Sequence, residues 1–203
     1  MKKVCILDYG SGNVRSVFNM VSLLCSDVVV SNKESDIAKA THLILPGVGA
    51  FRSSMEMVRE KLPLQLLEKR VLEEKIPFLG ICVGMQILAE KGFEFGECQG
   101  LAWISGSVNK LEVGEMPLPH VGWNSIEVVS PSSLFLNLSP SEDFYFVHSY
   151  VFIPSDKSFV AATTNYDEKF CSVIIKDNIY GVQFHPEKSQ KAGMTLLQNF
   201  LEL

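Results

Sequence analysis

Over the first half of the chain, short continuously apolar runs alternate with stretches whose apolar residues recur every three or four positions. The runs KVCILDY (3–9), HLILPG (42–47) and PFLGIC (77–82) end in turn residues, as buried strands do. Between the first two, Val14, Val17, Phe18, Val21, Leu24 and Cys25 fall at helical spacing. Residues 54–74 carry Met57, Val58, Leu62, Leu66, Leu67 and Val71 in the same rhythm, with a kink or break expected at Pro63. VGMQILAE (83–90) predicts a further helix directly after PFLGIC. Strands apolar throughout and separated by helices predict a parallel sheet covered on both faces.

After Gly96 the rhythm changes. Strand-like runs at 101–111, 123–129, 143–152, 158–166, 171–176 and 179–184 follow one another closely, with turn residues between them. They predict antiparallel or mixed pairing that extends one edge of the sheet. A closing helix is expected over 189–203, apolar at Met194, Leu196, Leu197, Phe200 and Leu201. No repeat, low-complexity tract or linker breaks the pattern. The expectation is one α/β domain over residues 1–203, built in three layers, with a mostly parallel central sheet extended by antiparallel strands.

Charge and cysteine usage narrow the function classes. A net charge of −5, with no Lys/Arg cluster, argues against nucleic acid or an anionic membrane as the main partner. Five cysteines, odd in number and without a CxxC pair, argue against a disulfide framework or a zinc knuckle. Most of them read as small buried hydrophobes in a reducing compartment. The apolar stretch near the start ends at Asp8, too short for a signal peptide. The fourteen uncharged residues 76–89 contain Pro77, Gly80 and Gly84 and read as core, not as a membrane span. A cytoplasmic location is expected. No metal or cofactor is expected either: GSGNVR has Arg15 where the third glycine of a dinucleotide loop belongs, and no phosphate-binding P-loop is present.

Chemistry concentrates around one thiol. Cys82 has Gly80 and Gly84 two residues to either side, between a strand and a helix. Glycine there costs burial and backbone entropy, but a nucleophile on a sharp strand-to-helix turn needs room on both flanks. The N-terminus of the following helix would favour the thiolate. The same pattern also suits a buried structural cysteine beside two packing glycines, so a base is needed to decide. Of four histidines, His42 begins an apolar strand, His120 lies between Pro119 and a glycine turn, and His148 lies inside a strand pattern without an acidic neighbour two residues away. His185 ends a strand and is followed by Pro186 and Glu187. In extended chain, residues two apart face the same way, so Glu187 can hold one ring nitrogen while the other takes the thiol proton. Oxyanion donors are expected from the backbone N–H of Val83 and from LPGVGAF (45–51), where Gly47 and Gly49 free the backbone to aim the N–H of Val48.

LPGVGAF, GICVGMQ and QFHPEKSQ, in this order and at these separations, resemble the class I glutamine amidotransferases. DYGSGN, PHVGWNS and FYFVHSY narrow the resemblance to the glutaminase subunits of imidazole glycerol phosphate synthases, over nearly the whole chain. Val83 and Val121 stand where leucine and methionine are more usual, and neither change removes a reacting group. The resemblance implies that Cys82 attacks the side-chain amide of L-glutamine, that His185 serves as base and then acid, and that Glu187 orients it. It implies a glutamine site at Gly47, Gly49, Gln86, Ser149 and Tyr150. It also implies a heterodimer with a (β/α)8-barrel synthase subunit that receives the ammonia, through contacts at Asn13, Trp123, Asn124, Tyr145 and Lys188. A glutaminase serving a different barrel synthase, such as one of surface-sugar modification, would carry the same catalytic residues. A stand-alone thiol amide hydrolase would need no barrel, and PHVGWN weighs against it.

Overall fold

The computed structural model describes residues 2–203. Its spine is the set of runs that the pattern marks as fully apolar. Strands β1 (Val4–Leu7), β3 (His42–Gly47), β4 (Phe78–Cys82) and β14 (Ile179–Val182) are buried along their whole length. They lie side by side and parallel, in the order β1-β3-β4-β14, with β2 (Val28–Ser31) parallel on the outer side of β1. A strand buried on both faces has no polar side to give to water, which is why these segments show no alternation. Beyond β14 the sheet continues antiparallel through β13 (Glu168–Lys176), β12 (Val160–Tyr166) and the short β9 (Glu127–Val128), eight strands in all.

Helices α1 (Val14–Ser22) and α6 (Gln190–Leu201) pack together, and α2 (Glu34–Lys39) packs against α4 (Leu64–Glu68). The expected break at Pro63 is present. Helix α3 (Phe51–Lys61) stops at the extended Leu62, and α4 restarts after the proline and runs into a π-helical turn, Lys69–Glu73. The rigid pyrrolidine ring and its missing N–H cannot continue the first helix. Helix α5 (Val83–Gln86) is a single turn and not the eight residues that periodicity suggests. After it the backbone N–H groups of Leu101 and Ile104 reach back to Ile87 and Leu88, so a tertiary connection replaces the helical ladder.

The second half departs from the expected single edge. Only β12, β13, β14 and β9 join the main sheet. β8 (His120–Ser125) and β10 (Asp143–His148) form their own antiparallel ribbon, and β11 (Tyr150–Pro154), β7 (Gly106–Lys110), β5 (Lys91–Gly92) and β6 (Cys98–Gln99) form a third sheet. The run 143–152, read as one strand, is cut at Ser149, where the chain leaves one sheet for another. Strand β2 and helix α2 escape the pattern: β2 is a four-residue strand buried only at Ser31, and α2 is six residues with one buried side chain, Ile37.

Candidate active site

In open sheets of this kind, loops at the carboxyl ends of parallel strands converge on one crevice. Here the converging segments follow β1, β3, β4 and β14, joined by the junction between β10 and β11. Cys82 closes β4 with φ 54° and ψ −111°, a left-handed conformation that a non-glycine residue adopts only under constraint. The glycines around it are required by close backbone approach. A side chain at Gly84 would land on the Leu45 carbonyl oxygen, and one at Gly80 would meet the Gly84 carbonyl. The thiol thus stands on a sharp elbow, with the N–H of Val83 in a first helical turn that has no intrahelical acceptor. Because α5 is one turn long, the expected help from a helix macrodipole reduces to those free N–H groups.

His185 reaches the thiol from the end of β14. Its Nδ1 lies 2.8 Å from Glu187 Oε1, both side chains almost fully buried. The route differs from the extended one expected: Pro186–Lys188 form a 3-10 turn that starts at His185 and folds the carboxylate back onto the ring. Proline at the first position suits that turn, because its fixed φ is already helical. The other ring nitrogen, Nε2, is buried with no hydrogen-bond partner of ordinary geometry, yet Cys82 is near enough to act on it. Burial alone would push the imidazole down. The Cys82 sulfur and the Glu187 carboxylate outweigh burial and hold it up at about 10.

Two residues complete this arrangement. Asn13 Nδ2 donates to Glu187 Oε1 at 3.3 Å, so a residue expected at the rim also orients the buried acid. Gln183, which the motif reading passes over, is fully buried and donates from Nε2 to the Cys82 sulfur at 3.7 Å. The sign that could have found it is parity: Gln183 and His185 are two apart at the end of one strand. By contrast, burial pushes the Cys5 and Cys171 thiols up to about 12, so they remain un-ionised packing groups. Cys25 is only half-buried, with its thiol on backbone carbonyls.

A cavity of about 240 Å3 opens over the thiol, lined by Cys82, His185, Val48, Gly49, Gln86, Ser149 and Tyr150 among others. Val83 lines it too. Gly47 does not; it lies beneath, where a side chain would strike the Gly84 nitrogen. Gly49 has φ +98°, and the Val48 carbonyl accepts the Ser11 hydroxyl at 2.7 Å, which fixes this loop against the one after β1. Gln86 is committed internally: its Nε2 donates to the Tyr150 carbonyl at 2.9 Å and to Gln183 Oε1 at 3.0 Å. Pro119, Val147 and His148, which fall inside PHVGWNS and FYFVHSY but have no role assigned there, also line the cavity, as does Glu94, which no motif marks. Glu94 comes from a loop whose sequence carries no motif. Its Oε2 accepts the Phe51 N–H at 2.8 Å.

Beside the mouth, Trp123 is 48% exposed and meets Tyr145 edge to face at 6.0 Å. Lys188 Nζ sits 5.6 Å from the centre of the Tyr145 ring. Asn124 donates to the Asn165 carbonyl at 2.9 Å and faces His120. Among the described residues, no group of three His, Cys, Asp or Glu side chains is placed to hold a metal ion, and no helix is long and apolar enough to cross a membrane.

A family model described as glutamine amidotransferase class-I matches residues 5–203. The imidazole glycerol phosphate synthase subunit HisH 2 of Methanococcus maripaludis is 44% identical over 200 residues, covering 98% of each chain. The HisH subunit of Caulobacter vibrioides is 42% identical over 210 residues, covering 100% of this chain and 99% of its own. A crystal structure of a glutamine amidotransferase superposes with a TM-score of 0.76 at 22% identity, covering 98% of this chain and 97% of the other, and shares the fold.

Proposed function

The chain belongs to the class I glutamine amidotransferases, and on that premise we propose that it is the glutaminase subunit of an imidazole glycerol phosphate synthase. It hydrolyses L-glutamine to glutamate and ammonia and delivers the ammonia to a (β/α)8-barrel synthase subunit of histidine biosynthesis. The observation that carries this reading is Cys82, held in a left-handed turn at the floor of a cavity that also contains His185, whose far nitrogen is bonded to Glu187.

The steps follow from that geometry. With its proton affinity held up at about 10, His185 Nε2 already carries the proton at neutral pH, and the Cys82 sulfur forms a bond to the amide carbon of glutamine. Charge that develops on the amide oxygen is met by the N–H of Val83 and of Val48. The tetrahedral adduct collapses, the C–N bond breaks, and His185 returns the proton to the leaving nitrogen, so ammonia departs and a glutamyl thioester remains. Water then gives a proton to His185 and its oxygen to the thioester carbon, and the sulfur leaves as glutamate is released. Glu187, itself held by Asn13, keeps Nδ1 as the N–H and stabilises the imidazolium formed in each half. Gln183 donates to the sulfur and favours its charged form.

Gly49, Gln86, Ser149 and Tyr150 surround the substrate. The two N–H groups of Gln86 are spent on the Tyr150 carbonyl and on Gln183, which leaves its Oε1 as the atom that can meet the substrate. Glu94 brings a carboxylate to the cavity and is suited to the α-ammonium group of the amino acid. Asn13, Trp123, Asn124, Tyr145 and Lys188 lie towards the barrel subunit. The test is a rapid acid quench of the full chain with L-glutamine, followed by intact-mass and peptide analysis. A glutamyl adduct on Cys82, absent from Cys82→Ser, is expected; an adduct elsewhere, or glutamate release by Cys82→Ser at the wild-type rate, rejects the assignment.

A further inference from the structure

Two buried histidines outside the Cys82–His185 pair share one hydrogen-bonded line, and chemistry fixes its direction. The Tyr150 carbonyl can only accept, so His148 Nδ1, 3.1 Å away, donates to it. A neutral ring that donates at Nδ1 accepts at Nε2. The 3.0 Å bond between His148 Nε2 and His120 Nδ1 therefore runs from His120 to His148. His120 then presents a bare Nε2, and Asn124 Nδ2 supplies the donor at 3.3 Å. An imidazolium at His148 would set two N–H groups against each other, and burial of both rings disfavours that charge.

The rings cannot drift from these positions. His120 is sandwiched by Tyr166, with centroids 3.9 Å apart and planes 25° apart, and by Phe146 at 5.0 Å and 21°. His148 lies 5.0 Å from the Phe170 ring. The backbone register supports the same pairing, since His120 and His148 stand opposite each other on β8 and β10. One end of the line is the Tyr150 carbonyl, which also accepts from Gln86 and lies at the β10–β11 junction beside the cavity. The other end is Asn124, next to the half-exposed Trp123.

We propose that Asn124, His120 and His148 are positioning residues, forming a neutral, one-directional line of hydrogen bonds that fixes the Tyr150 peptide in the glutamine cavity and couples it to the surface at Trp123. The coupling element has two discrete states, the two tautomers of His120. Asn124 biases His120 to the Nδ1–H form. If a body docking at Trp123 draws Asn124 away, that bias is lost, and the Nε2–H form leaves His148 Nε2 without a donor. Both ends of the line then sense the same equilibrium. The ligand named here rests on the glutaminase reading, whereas the line itself does not.

The experiment uses the full chain labelled with 15N at histidine, with long-range 15N–1H spectra recorded at neutral pH. His120 and His148 are both expected as neutral Nδ1–H tautomers; an Nε2–H form or an imidazolium at either ring overturns the proposal. The second arm is Asn124→Asp, a change of similar shape that can only accept. His120 is expected to shift to Nε2–H, and with the barrel synthase subunit added, KM for glutamine is expected to rise about tenfold, by more than kcat falls. An unchanged tautomer, or a loss confined to kcat, overturns the positioning role. A wild-type chain that releases no glutamate even with the barrel subunit present overturns the glutaminase reading instead, while the tautomers still report on the line.

Discussion

At the residue scale, opposite shifts among the buried histidines give the molecule a pH signature of its own. Sulfur and carboxylate hold the folded His185 at about 10, above the ordinary 6.5. The folded state therefore binds more protons than the unfolded state between those values. The stability this contributes is fully present below pH 6.5 and lost as pH rises through about 10. His120 and His148 act in the other direction: burial lowers them to about 4 and about 3, so stability falls as pH drops below 6.5. Urea unfolding across this range is expected to lose alkaline slope in Glu187→Gln and to keep its acid slope. An unchanged alkaline limb would mean that Glu187 does not set the His185 proton affinity. Gln183 gives a kinetic counterpart. Gln183→Leu removes a hydrogen bond worth about 1.5–3 kcal/mol to a charged acceptor, so glutaminase kcat/KM is expected to fall roughly 10- to 100-fold with the fold intact. Steady-state assays and circular dichroism together check it, and an unaffected rate removes Gln183 from the sulfur's support.

At the scale of elements, the elbow is the part of the fold that sequence made most legible. Gly80, Cys82 and Gly84 carry their reason on the surface of the chain, because only missing side chains let β4, its turn and the Leu45 carbonyl approach so closely. Gly84→Ala is expected to destabilise the protein by at least about 3 kcal/mol, since backbone and not a flexible side chain must move. Thermal or urea unfolding checks this, and a shift within 0.5 kcal/mol, taken as about the ordinary scatter of surface changes, removes the close-approach argument. The fully buried strands β1, β3 and β4 were legible for a related reason: burial on both faces leaves an unbroken apolar run. Elements held by partners distant in sequence were not. The run 143–152 has no Gly, Pro or Asn to mark a break, yet it divides at Ser149 because β10 pairs with β8 and β11 with β7. Helix α5 stops after one turn because residues 101–104 take the carbonyls of Ile87, Leu88 and Ala89 that would carry it further. His148 looked isolated for the same reason, since its partners are a ring on another strand and a backbone carbonyl. Glu94 belongs to the site through folding alone, with no motif to announce it, and Gln183 opens QFHPEKSQ without a role that its spacing alone would assign.

At the scale of the whole molecule, three exposed apolar side chains stand near the chemistry: Val48 lines the cavity, and Val121 and Trp123 lie on β8, whose partner β10 leads into it. Val48, Val121 and Trp123 are all more than a third exposed there, although a chain of this length can bury most of its large apolar groups. Trp123 stands against Tyr145, and Lys188 covers the same ring, so an aromatic and a cation stand together at the last residue of the turn that carries Glu187. Trp and Tyr on a half-exposed surface are the side chains that most often carry binding energy between proteins. Tyr145, whose carbonyl accepts the His185 N–H at 2.8 Å, ties this pair to the catalytic residues. That suits a product that must not escape, because free ammonia in neutral water becomes ammonium and loses its nucleophilic lone pair. The barrel synthase subunit is therefore expected to seat over these side chains, covering the cavity mouth. Trp123→Ala should weaken that association by at least about 2 kcal/mol, or roughly 30-fold in Kd by calorimetry, while the free chain unfolds at the wild-type urea concentration. Because the same contact adjoins Asn124, stimulation of glutamine hydrolysis by the barrel subunit should fall with it. Tight binding by Trp123→Ala would move the interface elsewhere. Stimulation by a barrel protein of another pathway and not by the histidine-pathway subunit would reassign the partner, and it would leave Cys82, His185 and Glu187 in their roles.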